Sequence, residues 1–198
     1  LASLWRGRWG NAEMPFYFVQ LAPFPYDDAE GIALPLTVEQ QALALDLIPF
    51  SGMASTTDAG SEQTIHPPYK IRVGERLALL ALKQTYGYGA LIAQSPRYES
   101  VRFEEGRAIV RFRTDGIMGP SWKGPIEGFE IAGADRVFVP AAAEYVPGAP
   151  EVTVHSDRVS APVAVRYAFR NMPRAATLVN SGDLPAYPFR TDDWNDVR

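Results

Sequence analysis

The apolar positions of this chain follow two rhythms. Up to about residue 90, short apolar runs alternate with segments of helical spacing. Phe16-Tyr-Phe-Val-Gln-Leu-Ala22 is an apolar run between Pro15 and Pro23, the form of a strand covered on both faces of a parallel sheet. Pro23-Phe-Pro-Tyr-Asp-Asp28 reads as a loop. Thr37-Val-Glu-Gln40 has capping-box spacing, and Val38, Ala42 and Leu45 line one side of a short helix that ends near Pro49. Gly52-Met-Ala-Ser-Thr-Thr57 is a second strand, rich in small and β-branched residues. Pro67 and Pro68 suit a helix's first turn, and helical spacing continues from about Tyr69 to Tyr86 with Ile71, Val73, Leu77, Leu80 and Ala81 as its apolar face. Strands that alternate with helices predict a parallel sheet with helices on its faces.

Beyond about residue 96 the period becomes two. Ala108–Arg113, Glu127–Ala132, Arg136–Val139, Glu151–His155 and Val163–Ala168 are short strand candidates separated by turn residues, the spacing of an antiparallel β-sandwich. Tyr86-Gly-Tyr-Gly-Ala90 has little to hold a rigid element, so the boundary is expected within Gly87–Pro96. The expected units are residues 1–90, α/β, and residues 91–198, β-rich.

Composition narrows the function classes. With 198 residues, of which 46% are hydrophobic and 21% charged, the chain can bury a real core. A net charge of -4 gives no electrostatic reason to expect nucleic acid or an anionic membrane as partner. No apolar run approaches the ~20 residues that span a bilayer. The absence of cysteine excludes disulfides, thiolate metal sites and a cysteine nucleophile. Leu1-Ala-Ser-Leu-Trp5 begins as though in mid-helix, as expected of part of a longer polypeptide.

Imidazole chemistry rests on two histidines. His66 follows a strand end and a loop, on the side of an α/β sheet where catalytic groups gather. The plain alternative is a histidine that only satisfies backbone groups ahead of a helix. His155 stands in a strand beside Ser156 and Asp157, but strand neighbours point to opposite faces, so a structural role is expected there. Asp58 is a candidate to orient an imidazolium, or else an Asx-turn residue ahead of Gly60. Glu62 is a weaker candidate for the same task. Gln20 closes the first strand, as a substrate hydrogen-bonder or as an amide that anchors a loop. Trp5-Arg-Gly-Arg-Trp9 favours cation–π packing or sugar stacking, and Trp122 is a second indole for stacking on a sugar or packing under a loop. Asp192 and Asp193 have no histidine nearby, which makes a metal site weak. Gly-x-Ser-x-Gly, Gly-Asp-Ser and P-loop motifs are absent. Ser51, Ser55 and Ser61 all lie near the His66 segment, whereas a base usually meets a nucleophile carried by another strand.

Pro15-Phe-Tyr-Phe-Val-Gln-Leu-Ala-Pro23, Gly52-Met-Ala-x-Thr-x-Asp58-x-Gly60, Ile65-His66-Pro67 and Val73-Gly-Glu-Arg-Leu-Ala78 resemble the C-terminal half of sialate O-acetylesterase-type enzymes, which are SGNH-like serine esterases. The resemblance continues through Phe129–Asp135, Val163–Ala168 and Gly182–Ala186 to Pro188–Asp192. It implies the C-terminal part of a flavodoxin-like, three-layer α/β/α hydrolase domain, followed by β-rich accessory structure. It also implies that His66 is the catalytic base and that the nucleophilic serine and oxyanion donors lie in an N-terminal portion. Many members carry Asp two residues before that histidine, where this chain has Thr64. A backbone carbonyl near residues 62–64, or Asp58, is then expected to hold the imidazole.

The expected function is a carbohydrate O-acetylesterase acting on acetylated sialic acid or plant polysaccharide, with no metal or organic cofactor and a secreted or periplasmic address. The expected partners are the N-terminal portion, from the same gene product or a second chain, and the acetylated glycan. A binding or structural module derived from the same family, no longer catalytic, is the alternative.

Overall fold

The computed structural model describes residues 1–118, 124–173 and 175–194; Trp122 falls outside them. Helix α1 (Ala2–Trp9) stops at Gly10, whose φ of 63° takes the left-handed conformation glycine tolerates. Strand β1 (Phe16–Val19) leads through a loop to α2 (Ala33–Leu47), which crosses to β2 (Ser51–Ala54), paired parallel to β1 in the register Phe16↔Ser51 to Val19↔Ala54. On one face of β1, Phe16 and Phe18 lie 6.1 Å apart between ring centres, and Trp5 meets Phe16 edge-on at 5.9 Å. Tyr17 packs with the buried cluster of Ala54, Leu80 and Ala93.

Helix α2 starts at Ala33, four residues before the expected capping box. Thr37 lies inside the helix, its hydroxyl donating back to the Ala33 carbonyl at 2.9 Å. The first turn is capped from elsewhere. Asp28 accepts the Ile32 and Ala33 N–H groups at 2.9 and 3.3 Å, and Asn171 accepts that of Leu34 at 2.8 Å. The fourth position, Pro35, has no N–H, so every N–H group that this helix start leaves open finds an acceptor.

Helix α3 (Lys70–Leu80) continues through a π-helical turn, Ala81–Thr85. Its inward face holds Leu80, as expected, but also Arg76, while Ile71 is 77% exposed. The reason is electrostatic, because Arg76 must reach a carboxylate described below.

The remaining strands form two antiparallel sheets. β3 (Arg97–Glu104), β4 (Arg107–Arg113), β8 (Glu151–His155) and β7 (Ala142–Tyr145) pair in that order; β10 (Phe189–Arg190), β9 (Ala164–Tyr167), β5 (Phe129–Ala132) and β6 (Val139–Pro140) form the other. Val110, Phe112, Val152 and Val154 from one sheet and Ile131, Val165, Tyr167 and Phe189 from the other share a single core. Tyr98 stacks on Phe189 at 4.9 Å and Phe112 meets it edge-on at 5.6 Å. The strand expected at Arg136 begins only at Val139, because Arg136 takes a left-handed φ of 61°. His155 pairs with Ala142 at the sheet.

Buried polar contacts join the antiparallel sheets to the parallel pair. The Tyr187 hydroxyl donates to the Met53 carbonyl on β2, and Arg190 grips Glu39 on α2 through two hydrogen bonds of 3.0 and 3.1 Å. Removing the first of these leaves a buried carbonyl without its donor. Tyr187→Phe is therefore expected to lower unfolding free energy by about 1–3 kcal/mol, read from urea denaturation with an unchanged m-value. An unchanged midpoint would show that this contact holds nothing together.

Candidate functional site

The C-terminal ends of β1 and β2 diverge around one side chain. Gln20 is 1% exposed, and its carboxamide oxygen accepts the Ser55 hydroxyl at 2.9 Å and the Thr56 N–H at 3.3 Å. Its amide nitrogen donates to the Thr57 hydroxyl at 3.3 Å, and that hydroxyl donates to the Ala186 carbonyl at 3.0 Å. The Gln20 carbonyl accepts the Thr56 hydroxyl at 3.0 Å. Gln20 thus anchors the loop after β2, with both ends of its carboxamide engaged inside the protein.

Residues 55–57, pinned in this way, deliver Asp58. Arg76 forks onto its two oxygens at 2.7 and 2.9 Å and also donates to the Ser55 carbonyl at 2.8 Å. Arg72, one helical turn earlier, adds a contact of 2.8 Å. Burial by itself pushes the Asp58 carboxyl up, but the hydrogen bonds and charge of Arg76, then the charge of Arg72, outweigh it and hold the group below the usual aspartate range. Asp58 therefore faces two arginines and makes no hydrogen bond to His66, the partner expected of it. The i, i+4 spacing of Arg72 and Arg76 was the available sequence signal for this clamp.

The chain then turns sharply. The Ser61 N–H donates to the Pro23 carbonyl at 3.1 Å, and a Cβ on Gly60 would overlap that same carbonyl and the Pro23 ring. The loops after β1 and β2 touch here, and only glycine permits it. The Ser61 hydroxyl accepts the Gln63 and Thr64 N–H groups at 3.2 and 3.3 Å. The Thr64 hydroxyl accepts the His66 N–H at 3.1 Å. In the place of the expected acid, Thr64 shapes the backbone that presents the histidine.

His66 itself is exposed, ahead of buried Pro67 and the start of α3. Its imidazole has no hydrogen-bond partner among the described residues. Each neighbouring serine is occupied: Ser51 donates to the Ile48 carbonyl at 2.6 Å, Ser55 to Gln20, and Ser61 holds its own turn. The structure thus brings Gln20, Asp58 and the His66 loop into one corner, with the imidazole at its surface and, among the described residues, no serine hydrogen-bonded to it.

Asp192 pairs with buried Arg166 at 2.7 Å, and among the described residues no cluster could hold a metal ion. Arg6 donates to the Met14 and Pro49 carbonyls at 3.0 and 2.6 Å and lies over the ring of Phe50, 5.9 Å from its centre, while Trp9 is 78% exposed.

Two outcomes are expected from these contacts. Asp58→Asn should cost about 2–3 kcal/mol at pH 7, the range for hydrogen bonds to charged groups. Because the folded-state carboxyl titrates below its unfolded value, the stability it adds is complete above about pH 4 and is lost as pH falls further. Urea unfolding of the variant should accordingly depend less on pH below 4 than that of the parent. Gly60→Ala should cost about 1–3 kcal/mol through overpacking, measured in the same way.

No family model and no curated protein matches the sequence. Among solved structures, the chain matches the crystal structure of a carbohydrate acetylesterase from Xanthomonas citri with a TM-score of 0.89 and 39% sequence identity. The match covers 98% of this chain and 44% of that one, so the chain spans less than half the length of that relative.

Proposed function

We propose that this chain is the histidine-bearing part of a carbohydrate O-acetylesterase, completed by a further portion of polypeptide that carries the serine. The observation that supports this reading most is the likeness to a carbohydrate acetylesterase at 39% identity over 98% of the chain. The surface position of His66, with Ser51, Ser55 and Ser61 each engaged elsewhere, agrees with a nucleophile delivered from outside this segment.

In this reading β1, β2 and their helices belong to a larger, flavodoxin-like α/β/α hydrolase domain, and residues 91–198 form a β-sandwich-like accessory unit. His66 takes the proton of the incoming serine as its oxygen adds to the acetyl carbonyl. The tetrahedral oxyanion rests on donors from the completing portion. Collapse breaks the bond to the sugar oxygen, which takes the proton from the His66 imidazolium and leaves as the hydroxyl. His66 then removes a proton from water as it adds to the acyl-enzyme, and returns that proton to the serine oxygen as acetate leaves. Asp58 serves the reaction by anchoring the loop through Arg76, and the imidazole takes its orienting acceptor from backbone or from the completing portion. A glycan substrate, whether acetylated sialic acid or plant polysaccharide, places the enzyme outside the cytoplasm, in the periplasm or secreted.

The full-length polypeptide is expected to release acetate from acetylated xylan or an acetylated sialoside and to cleave p-nitrophenyl acetate. His66→Ala should lower kcat/KM by at least about 10³-fold, near the scale of general-base catalysis, with an unchanged circular-dichroism spectrum. Residues 1–198 alone should not turn over either ester. Robust hydrolysis by that chain, dependent on His66, overturns the external serine. Full activity of the alanine variant removes His66 from the mechanism.

A further inference from the structure

The two outer edges of the parallel pair are not equivalent. Phe16 N–H donates to the Phe50 carbonyl and Gln20 N–H to the Ala54 carbonyl, both at 2.9 Å. This alternation turns the backbone groups of the even-numbered residues of β1 toward β2 and those of Tyr17 and Val19 away from it. On β2 the outward residues are Ser51, Met53 and Ser55. The Met53 carbonyl takes the Tyr187 hydroxyl, and the Ser55 carbonyl takes Arg76 at 2.8 Å. Side chains of the chain itself thus occupy the carbonyls of two consecutive outward rungs of β2.

The edge of β1 is closed at one rung only. Gln41 on α2 donates its amide nitrogen to the Val19 carbonyl at 3.1 Å and accepts the Leu21 N–H at 2.8 Å. Those are the two contacts that one residue of a parallel neighbour would make opposite Gln20. The preceding rung, made of the Tyr17 carbonyl and the Val19 N–H, has no partner among the described residues, and neither has the Tyr17 N–H. An edge strand of this kind is a template for another strand.

We propose that the outer edge of β1 is the seam at which the completing portion of the polypeptide adds a parallel strand, with Gln41 blocking the rung beyond it and so setting where that strand stops. Aromatic residues on both faces of β1 are the pattern of a strand inside a parallel sheet, not of a terminal one. The π-helical turn is tied to β1 by the 2.7 Å contact between the Tyr17 and Thr85 hydroxyls, and Tyr86 beside it is 70% exposed, which offers apolar cover for an incoming element. The occupant follows from length: the relative is matched over only 44% of its chain, which leaves ample polypeptide to supply a strand. This identification rests on the proposed function; the open edge does not.

Hydrogen exchange tests the seam. In the full-length polypeptide the Tyr17 and Val19 amides are expected to exchange at least 100-fold more slowly than in residues 1–198, while the Phe18 amide, bonded to β2, behaves alike in both. Equal exchange of Tyr17 and Val19 in the two proteins overturns the proposal. Val19→Pro removes an outward N–H and leaves the ladder to β2 intact. It should lower the Tm of the full-length protein and leave that of residues 1–198 unchanged; an equal shift in both overturns the seam. A dimer of residues 1–198 that Val19→Pro dissolves would assign the edge to a second copy and overturn the proposal as stated. Ester hydrolysis, assayed separately, distinguishes the two readings. Protection without hydrolysis sinks the enzyme and keeps the seam, and hydrolysis without protection does the reverse.

Discussion

A buried carboxamide governs this fold's functional end. Gln20 sits where β1 and β2 part, in a place from which water is excluded, so its oxygen and nitrogen must both be satisfied by protein. Ser55, Thr56 and Thr57 do this, and in doing so they bend the chain after β2 into one path. Thr57 then reaches Ala186, which fastens the same bend to the segment leading into β10. A hydrocarbon side chain at position 20 would take away the acceptor of the Ser55 hydroxyl and of the Thr56 N–H. The geometry of everything downstream, including the carboxylate of Asp58 and the turn at Gly60, descends from this amide.

From that bend outward the interactions grow more polar and more exposed. Asp58 and Arg76 form a forked, largely buried ion pair whose hydrogen bonds offset the cost of taking two charges from water. Gly60 then lets two loops touch, and Ser61 and Thr64 shape the last turn with hydroxyls. His66 stands at the end of this series with a fixed backbone and a solvent-facing ring. Rigid support behind an open imidazole is the arrangement a proton-transfer group needs when its partner arrives from another element.

What could be read from the sequence depended on range. The apolar runs at Phe16 and Gly52 became parallel strands, and the two-residue rhythm at Ala108, Glu151 and Val163 became antiparallel ones, because those signals are local. His66 stood out because the chain has few histidines and this one follows a strand. The capping-box pattern at Thr37 misled, since the acceptors that start α2 are Asp28 and Asn171, the second of them 137 residues from Leu34. β3 was missed because a register shift between Tyr98 and Ser100 breaks its alternation and most of its residues are exposed. Asp58 read as a partner for histidine because the i, i+4 spacing of Arg72 and Arg76 shows that they share a helix face but not that this face meets the carboxylate.

Asn171 has a consequence for the order of events during synthesis. It accepts the Leu34 N–H, donates its own N–H to the Gly31 carbonyl at 2.7 Å and holds the side chain of Asp28. The first turn of α2 is therefore built from two stretches that leave the ribosome far apart in time. Until residue 171 emerges, that turn lacks part of its cap, and the contacts from Tyr187 and Arg190 come later still. The parallel pair cannot reach its final form as an early, independent folding unit; its completion waits on translation of the C-terminal sheets.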